Sequence, residues 1–252
     1  MTMQDDLNWQ VEQACRAAWP ALVETVGDEW LFRRLGGRNR RSNSVNPLRG
    51  KRGAPEAVLD AAESFYAGHG QTPLFRIPAI AAEMETALDR RGYQTEGGSI
   101  HLHAAIDELA ELRNEQVAVS PTPGEDWLEA RFRMGGYDDA DRHIFRDMTG
   151  LIAGDKAFAS CERYNEIAAV AYGVIRHGLL VVESVGTDGR FRQQGLGRRT
   201  VAGLIDWARR SGASAACLQV VADNTPARAL YASLGFRREL YRYHYRRKAI
   251  AA

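Results

Sequence analysis

The stretch that most limits how this chain can fold is residues 190–197, RFRQQGLG, taken with its flanks. The apolar, β-branched run LLVVESVGTDG precedes it and reads as a buried strand, and Val201, Leu204, Ile205 and Ala208 recur after it at helical spacing. A strand, a glycine-bearing loop and a helix N-terminus in that order make an anion site. Free backbone N–H groups project from the loop, and the positive end of the helix dipole lies beneath them. Gly195 and Gly197 let that backbone approach a phosphate closely. Two nucleotide-binding patterns fail on spacing. A P-loop ends in Gly-Lys-Ser/Thr, whereas Gly197 is followed by Arg198 and Arg199. A dinucleotide fingerprint needs a third small residue and an acid about twenty residues on, which Thr200 and the stretch near Ser214 do not supply.

What remains is Arg-x-x-Gly-x-Gly, from Arg192 to Gly197. Gly212 ends the following helix, AACLQVV reads as the next strand, and NTPARALYASLGF then runs from Asn224 to Phe236. The first pattern is similar to the pyrophosphate loop of the GNAT acetyltransferase superfamily. The second resembles that superfamily's Asn-x-x-Ala-x-x-Leu-Tyr-x-x-Leu-Gly-Phe run residue for residue. The resemblance implies an α+β fold, a mixed and mostly antiparallel twisted sheet flanked by helices, with acetyl-CoA (coenzyme A) as cofactor. The implied function is an N-acetyltransferase passing the acetyl group to a primary amine of a small molecule or peptide by direct attack on the thioester.

The same resemblance assigns roles by position. The backbone of Arg192, Gln193, Gln194, Gly195, Leu196, Gly197 and Arg198 is expected to hold the pyrophosphate; the side chains of Arg190, Arg192, Arg198 and Arg199 either add charge there or form ordinary solvated surface. Val185 and Thr187 match the strand that splays from its neighbour, where backbone groups hold the pantetheine arm and polarise the acetyl carbonyl. Asn224 either holds that arm or caps the helix ahead of Pro226. Tyr231 matches the tyrosine that gives a proton to the coenzyme A sulfur; on its helix it also lies on the apolar stripe of Ala227, Leu230 and Leu234. A phenol near pKa 10 protonating a thiolate near 8.5 is uphill by about 2 kcal/mol, so a hydrogen bond to the developing thiolate is enough. Some peptide-acetylating members carry a glutamate where this chain has Gln219. Glu183 is the carboxylate expected to act as base, directly or through water, with a paired surface acid as its other reading. His143 and His177 have no motif behind them.

Upstream, helices are expected over residues 5–18, from Pro55 and over 80–91, with strands at 30–35, 42–48, 73–77 and 99–106. Gly53, Gly70 and Gly92 then precede Gly195, Gly212 and Gly235 by 142 or 143 residues. The chain is therefore expected to be a tandem, with a degenerate GNAT-like domain over residues 1–112 and a catalytic domain over 113–252; chance agreement of three glycines is the competing reading. In that alignment Pro55 stands opposite Gly197, Ala81 opposite Asn224 and Leu88 opposite Tyr231, so the first domain lacks the cofactor chemistry. The closing LYRYHYRRK alternates tyrosines with basic groups and is expected to be a half-buried strand with a solvated edge.

Composition adds limits. The chain has 252 residues, 45% hydrophobic, enough for a substantial core, and a net charge of +1 that gives no drive toward nucleic acid or an anionic membrane. Cys15, Cys161 and Cys217 lack metal-ligand spacing and read as buried thiols in a reducing compartment. The acidic start MTMQDDLNWQ is unlike a signal peptide, and no apolar run approaches membrane-spanning length, so the cytoplasm is expected. A monomer or homodimer is expected. The alternatives to an enzyme are a non-catalytic acyl-CoA-binding sensor or scaffold, and a carrier of longer acyl chains if the pocket is deep.

Overall fold

The computed structural model describes residues 3–111 and 117–248. In chain order the elements are α1 (Met3–Ala18), β1 (Val23–Gly27), β2 (Trp30–Arg34), β3 (Val45–Pro47), α2 (Pro55–Ala67), β4 (Leu74–Pro78), α3 (Glu85–Arg90) and β5 (Tyr93–Ala105). They continue as β6 (Ala118–Ser120), α4 (Glu125–Gly135), α5 (Asp139–Leu151), β7 (Lys156–Arg163), β8 (Glu166–Arg176), β9 (Leu179–Thr187), α6 (Leu196–Arg210), β10 (Ala215–Val221), α7 (Thr225–Leu234) and β11 (Arg238–Lys248). The expected boundary at 112/113 lies outside the described residues.

All eleven strands join one sheet in the order β1-β2-β3-β4-β11-β5-β10-β9-β8-β7-β6. Only β3–β4 and β9–β10 are parallel pairs, so the sheet is mixed and mostly antiparallel, with seven helices packed on it. The last strand of each half crosses into the other. β11 lies between β4 and β5, and β5 lies between β11 and β10.

That crossing corrects the expectation for the final strand. β11 is an interior strand: β5 pairs along its length, and β4 covers its other side from Tyr243 to Arg247. Its alternation does match the pleat: Tyr241, Tyr243 and Tyr245 are buried and Arg242 is exposed. Arg246 is buried as well, with Glu85, Asp89 and the Tyr93 carbonyl as partners. Two further differences are local. The helix expected over 80–91 shrinks to Glu85–Arg90, because residues 78–81 form a turn in which the Ala81 N–H bonds the Pro78 carbonyl. β1 went unforeseen because this edge strand keeps its side chains half-buried or exposed and so has no apolar face to read.

Two packed clusters hold the second half together on opposite faces of the sheet. Val201, Leu204, Ile205 and Ala208 of α6 pack with Leu180, Val182, Ala216 and Leu218, and with Tyr231 and Leu234 of α7. α1, α4 and α5 contribute Val11, Trp127 and Phe145 to a cluster with Val170, Tyr172, Val181 and Cys217. Across the seam between halves runs a buried polar group: Glu12 of α1 accepts both terminal nitrogens of Arg76 on β4, at 2.7 and 2.9 Å. Arg76 also reaches His101 Nε2 on β5 (2.8 Å), and Tyr241 of β11 donates to Glu12 (2.7 Å). Both Glu12 oxygens and both terminal nitrogens of Arg76 thus find partners in an interior that would otherwise exact a large desolvation penalty.

Candidate active site

The site is made where two parallel strands part. β9 and β10 pair from Leu179 opposite Ala215 to Val182 opposite Leu218, and there the register ends. Beyond it Glu183, Val185 and Thr187 run along one arm of a fork, and Gln219 starts the other. The cause is a bulge: Ser184 and Val185 together stand opposite Ala171 of β8, and Ser184 takes φ +52°. The extra residue bends β9 away and leaves its backbone polar groups facing the opening. The Ser184 hydroxyl is buried there without a hydrogen-bond partner.

At the far end of the same arm is the glycine loop. Asp188 caps a short 3-10 turn (Gly189–Phe191), and α6 starts at Leu196 behind Gly195. Gly195 takes φ +77°, a left-handed conformation that costs glycine nothing, and Gln193 takes φ +60°. The amides of Leu196, Gly197 and Arg198 belong to the first helical turn, where no carbonyl lies four residues back to receive them. Gly197 suits a close approach: a Cβ there would lie 2.8 Å from Thr187 Oγ1 and 3.3 Å from Leu230 Cδ1, so a larger residue would push these side chains aside where α6 meets the fork. Arg192, Gln193, Gln194 and Gly195 are exposed, and Arg198 and Arg199 are half-buried. Arg190 points elsewhere, onto Asp188 (3.0 Å) and Glu166 (2.7 Å), so its charge is matched within the protein.

Glu183 and Gln219 face each other at the crotch of the fork, and a third side chain bridges them. Arg41, from the loop after β2, donates to both oxygens of Glu183 (2.5 and 2.8 Å) and to Gln219 Oε1 (3.2 Å). Tyr243 of β11 also donates to that Gln219 oxygen (2.8 Å). Two asparagines shape the loop that delivers Arg41. Asn39 Oδ1 accepts the amide of Arg41 (2.9 Å), and Asn43 Oδ1 accepts those of Leu35 and Gly36 (3.0 and 2.8 Å). Glu183 is 4% exposed. Burial pushes its carboxyl up, and the Arg41 guanidinium opposes that shift. The Arg41–Glu183 contact spans 142 residues and has no local signal in the sequence.

Tyr231 sits on α7 with its ring 6.2 Å from that of Phe236, and burial raises its phenol, with the Glu183 charge adding to the rise. Asn224 is exposed and caps α7, its Oδ1 accepting the Ala227 amide at 3.1 Å. His143 is on the exposed side of α5, and His177 is in the β8–β9 turn, at the opposite end of β9 from the fork. Neither histidine joins the site.

The loop preceding α2, which the glycine spacing sets against residues 190–197, is filled. The amides of Leu48 and Gly53 are spent on the carbonyls of Glu29 and Asp28 (2.9 and 3.0 Å), in the turn between β1 and β2. Asp28 packs directly over Gly53, the Glu29 carboxylate lies against Gly50, and Pro55 opens the helix without an N–H. Acids stand where the second half offers donors.

Comparison with known proteins agrees with this geometry. Residues 9–247 match the model of a family described as "Probable histone acetyltransferase Rv0428c C-terminal". The chain is similar to the "Uncharacterized N-acetyltransferase YobR" of Bacillus subtilis (strain 168), at 24% identity over 97% of this chain and 99% of that protein. Among solved structures it shares its fold with a GCN5-related N-acetyltransferase from Kribbella flavida, with TM-score 0.72, 16% identity and coverage of 100% and 97% of the two chains. A tandem GNAT protein from the clavulanic acid biosynthesis pathway is also similar in fold, with TM-score 0.62, 12% identity and coverage of 83% and 76%. The chain belongs to the acetyltransferase family of that model, within the GNAT superfamily.

Proposed function

We propose that the protein is an acetyl-CoA-dependent N-acetyltransferase in which a primary amine attacks the thioester directly, with the second half carrying the chemistry and a degenerate GNAT-like first half shaping the acceptor side. The observation that carries this reading is the fork: free strand backbone at Val185 and Thr187 lies on one continuous arm with the open amides of Leu196, Gly197 and Arg198. Bound acetyl-CoA would supply the acyl group as an activated thioester.

Each residue then has a task. The amides of residues 193–198, with Arg192 and Arg198 beside them, grip the pyrophosphate, and the helix end adds about 0.3 to 1 kcal/mol. The backbone of Val185 and Thr187 orients the pantetheine arm and donates to the acyl oxygen as negative charge develops there. Asn224 stands beside that arm while capping α7. Tyr231 hydrogen-bonds the departing sulfur. Its raised pKa makes full proton release still less favourable, so it acts as a donor and keeps its proton.

Glu183 accepts the proton of the acceptor amine through water. Arg41 uses one lone pair on each carboxylate oxygen and leaves one on each free. Burial makes the group more basic than an exposed glutamate, which is the direction a base needs near neutral pH.

The acceptor is a small molecule or a peptide amine, nucleic acid and membrane are not partners, and the working place is the cytoplasm, with the chain a monomer or homodimer. Titration calorimetry with coenzyme A tests the cofactor, and thiol release from acetyl-CoA across a panel of amines tests the reaction. No heat with coenzyme A sinks the reading. Heat without thiol release on any amine would favour an acyl-CoA sensor.

A further inference from the structure

Residues 35–39 of the first half close over a cavity of about 180 Å³, walled on its other side by α5. Trp19, Tyr137, Phe145 and Met148 make its surface, and Ile144 narrows it. The closure is tight. A Cβ on Gly37 would lie 3.2 Å from Ile144 Cδ1 and 3.0 Å from Asp141 Oδ1. Arg38 latches the loop by donating to the carbonyls of Gly135 and Gly136 (both 2.9 Å), pairing with Asp141 (2.9 Å) and lying over the Tyr137 ring at 4.7 Å.

Trp19 stands between this cavity and the fork. It lines the cavity, and the Arg41 guanidinium that holds Glu183 stands 4.8 Å from its ring centroid. The apolar, aromatic space thus lies one indole ring and one guanidinium away from the Glu183 carboxylate. That space resembles in size the engineered apolar cavity of about 150 Å³ that takes up benzene. Asp141, the carboxylate among the lining residues, is already matched by Arg38, so the walls offer no spare acid to a polycation.

We infer that the acceptor is a primary amine on a compact apolar body, a single ring or a group of that size, seated between the residue 35–39 loop and α5. This rests on the proposed acetyltransferase reading and narrows its acceptor. A lysine within a basic peptide fits the cavity poorly, since its flanking cationic side chains meet Arg38 and find no free carboxylate.

Thiol release from acetyl-CoA is measured with benzylamine and 2-phenylethylamine, with spermidine, and with a lysine-rich histone-tail peptide. The ring amines are expected to exceed the others in kcat/KM by about 10-fold or more, the scale on which pocket fit discriminates. Ile144→Trp, which fills the cavity from α5, is expected to raise KM for the ring amines about 10-fold or more, with kcat changing less. Ile144→Ala is expected to shift preference toward two-ring amines. Calorimetry with acetyl-CoA on both variants checks that they fold. Better turnover of the peptide or of spermidine overturns the inference, as does an Ile144→Trp enzyme that binds acetyl-CoA and keeps its ring-amine KM. Acetyl-CoA binding with no turnover of the ring amines overturns the inference alone. Absence of acetyl-CoA binding in the unaltered protein removes the cofactor reading and the inference with it.

Discussion

One loop precedes α2 and another precedes α6, and they have opposite contents. Before α6, Gly195 and Gly197 leave first-turn amides open beside a forked strand. Before α2, the amides of Leu48 and Gly53 are consumed by the β1–β2 turn, whose acids Asp28 and Glu29 pack onto the loop, and Pro55 removes a further donor. A shared order of elements therefore does not make a shared site. Whether a helix N-terminus binds an anion depends on whether neighbouring chain has already taken its donors. The first half instead gives Arg41 to the second half's fork and the residue 35–39 loop to the cavity against α5.

The comparison holds only while the seam holds, so the largest expected effect lies there. Glu12→Gln is expected to cost about 3 to 5 kcal/mol in urea denaturation, because Arg76 is left buried with no carboxylate. The same pair sets an acid limit. Burial alone would raise the Glu12 carboxyl, but Arg76 holds it at about 2 against an ordinary 4.5. A depressed folded pKa means that the contribution, about 3 kcal/mol, is present above about pH 4.5 and is lost as pH falls toward about 2. Denaturation curves for wild type and Glu12→Gln should converge over that window; parallel curves would refute the assignment.

Within the second half, Tyr231→Phe is expected to lower kcat about 100-fold while leaving coenzyme A binding nearly intact. Unchanged turnover would remove Tyr231 from the mechanism. Copying the first half's proline into the open loop, Gly197→Pro, should weaken coenzyme A binding by about 30-fold or more, because it removes one charge-assisted hydrogen bond and sets a Cβ against Thr187. Calorimetry on wild type should find one coenzyme A per chain; two would break the contrast between the loops. The smallest change expected is from Asn224→Ala, about 1 kcal/mol of stability from the lost cap. A rise in KM for acetyl-CoA beyond that would show that Asn224 also holds the pantetheine arm.

The local elements of this protein were legible because each carries its own signal. The 3.6-residue period of Val201, Leu204, Ile205 and Ala208, the apolar AACLQVV strand and the Asn224 cap all depend on residues a few positions apart. So does the anion loop, since glycine spacing and a helix start are properties of a dozen residues. β1 escaped because an exposed edge strand needs no apolar face, and β11 was misplaced at an edge because alternation says which face is buried and nothing about which strands lie alongside.

The sequence by itself determined a strand, glycine loop and helix suited to a diphosphate, and the tyrosine-bearing helix that follows. Only the tertiary structure decided that β5 and β11 cross between halves, that Arg41 reaches Glu183 across 142 residues, and that the first half's loop is sealed by its own acids. Long-range pairs form because packing brings their elements together, and a buried charge must then find its partner wherever the chain supplies one.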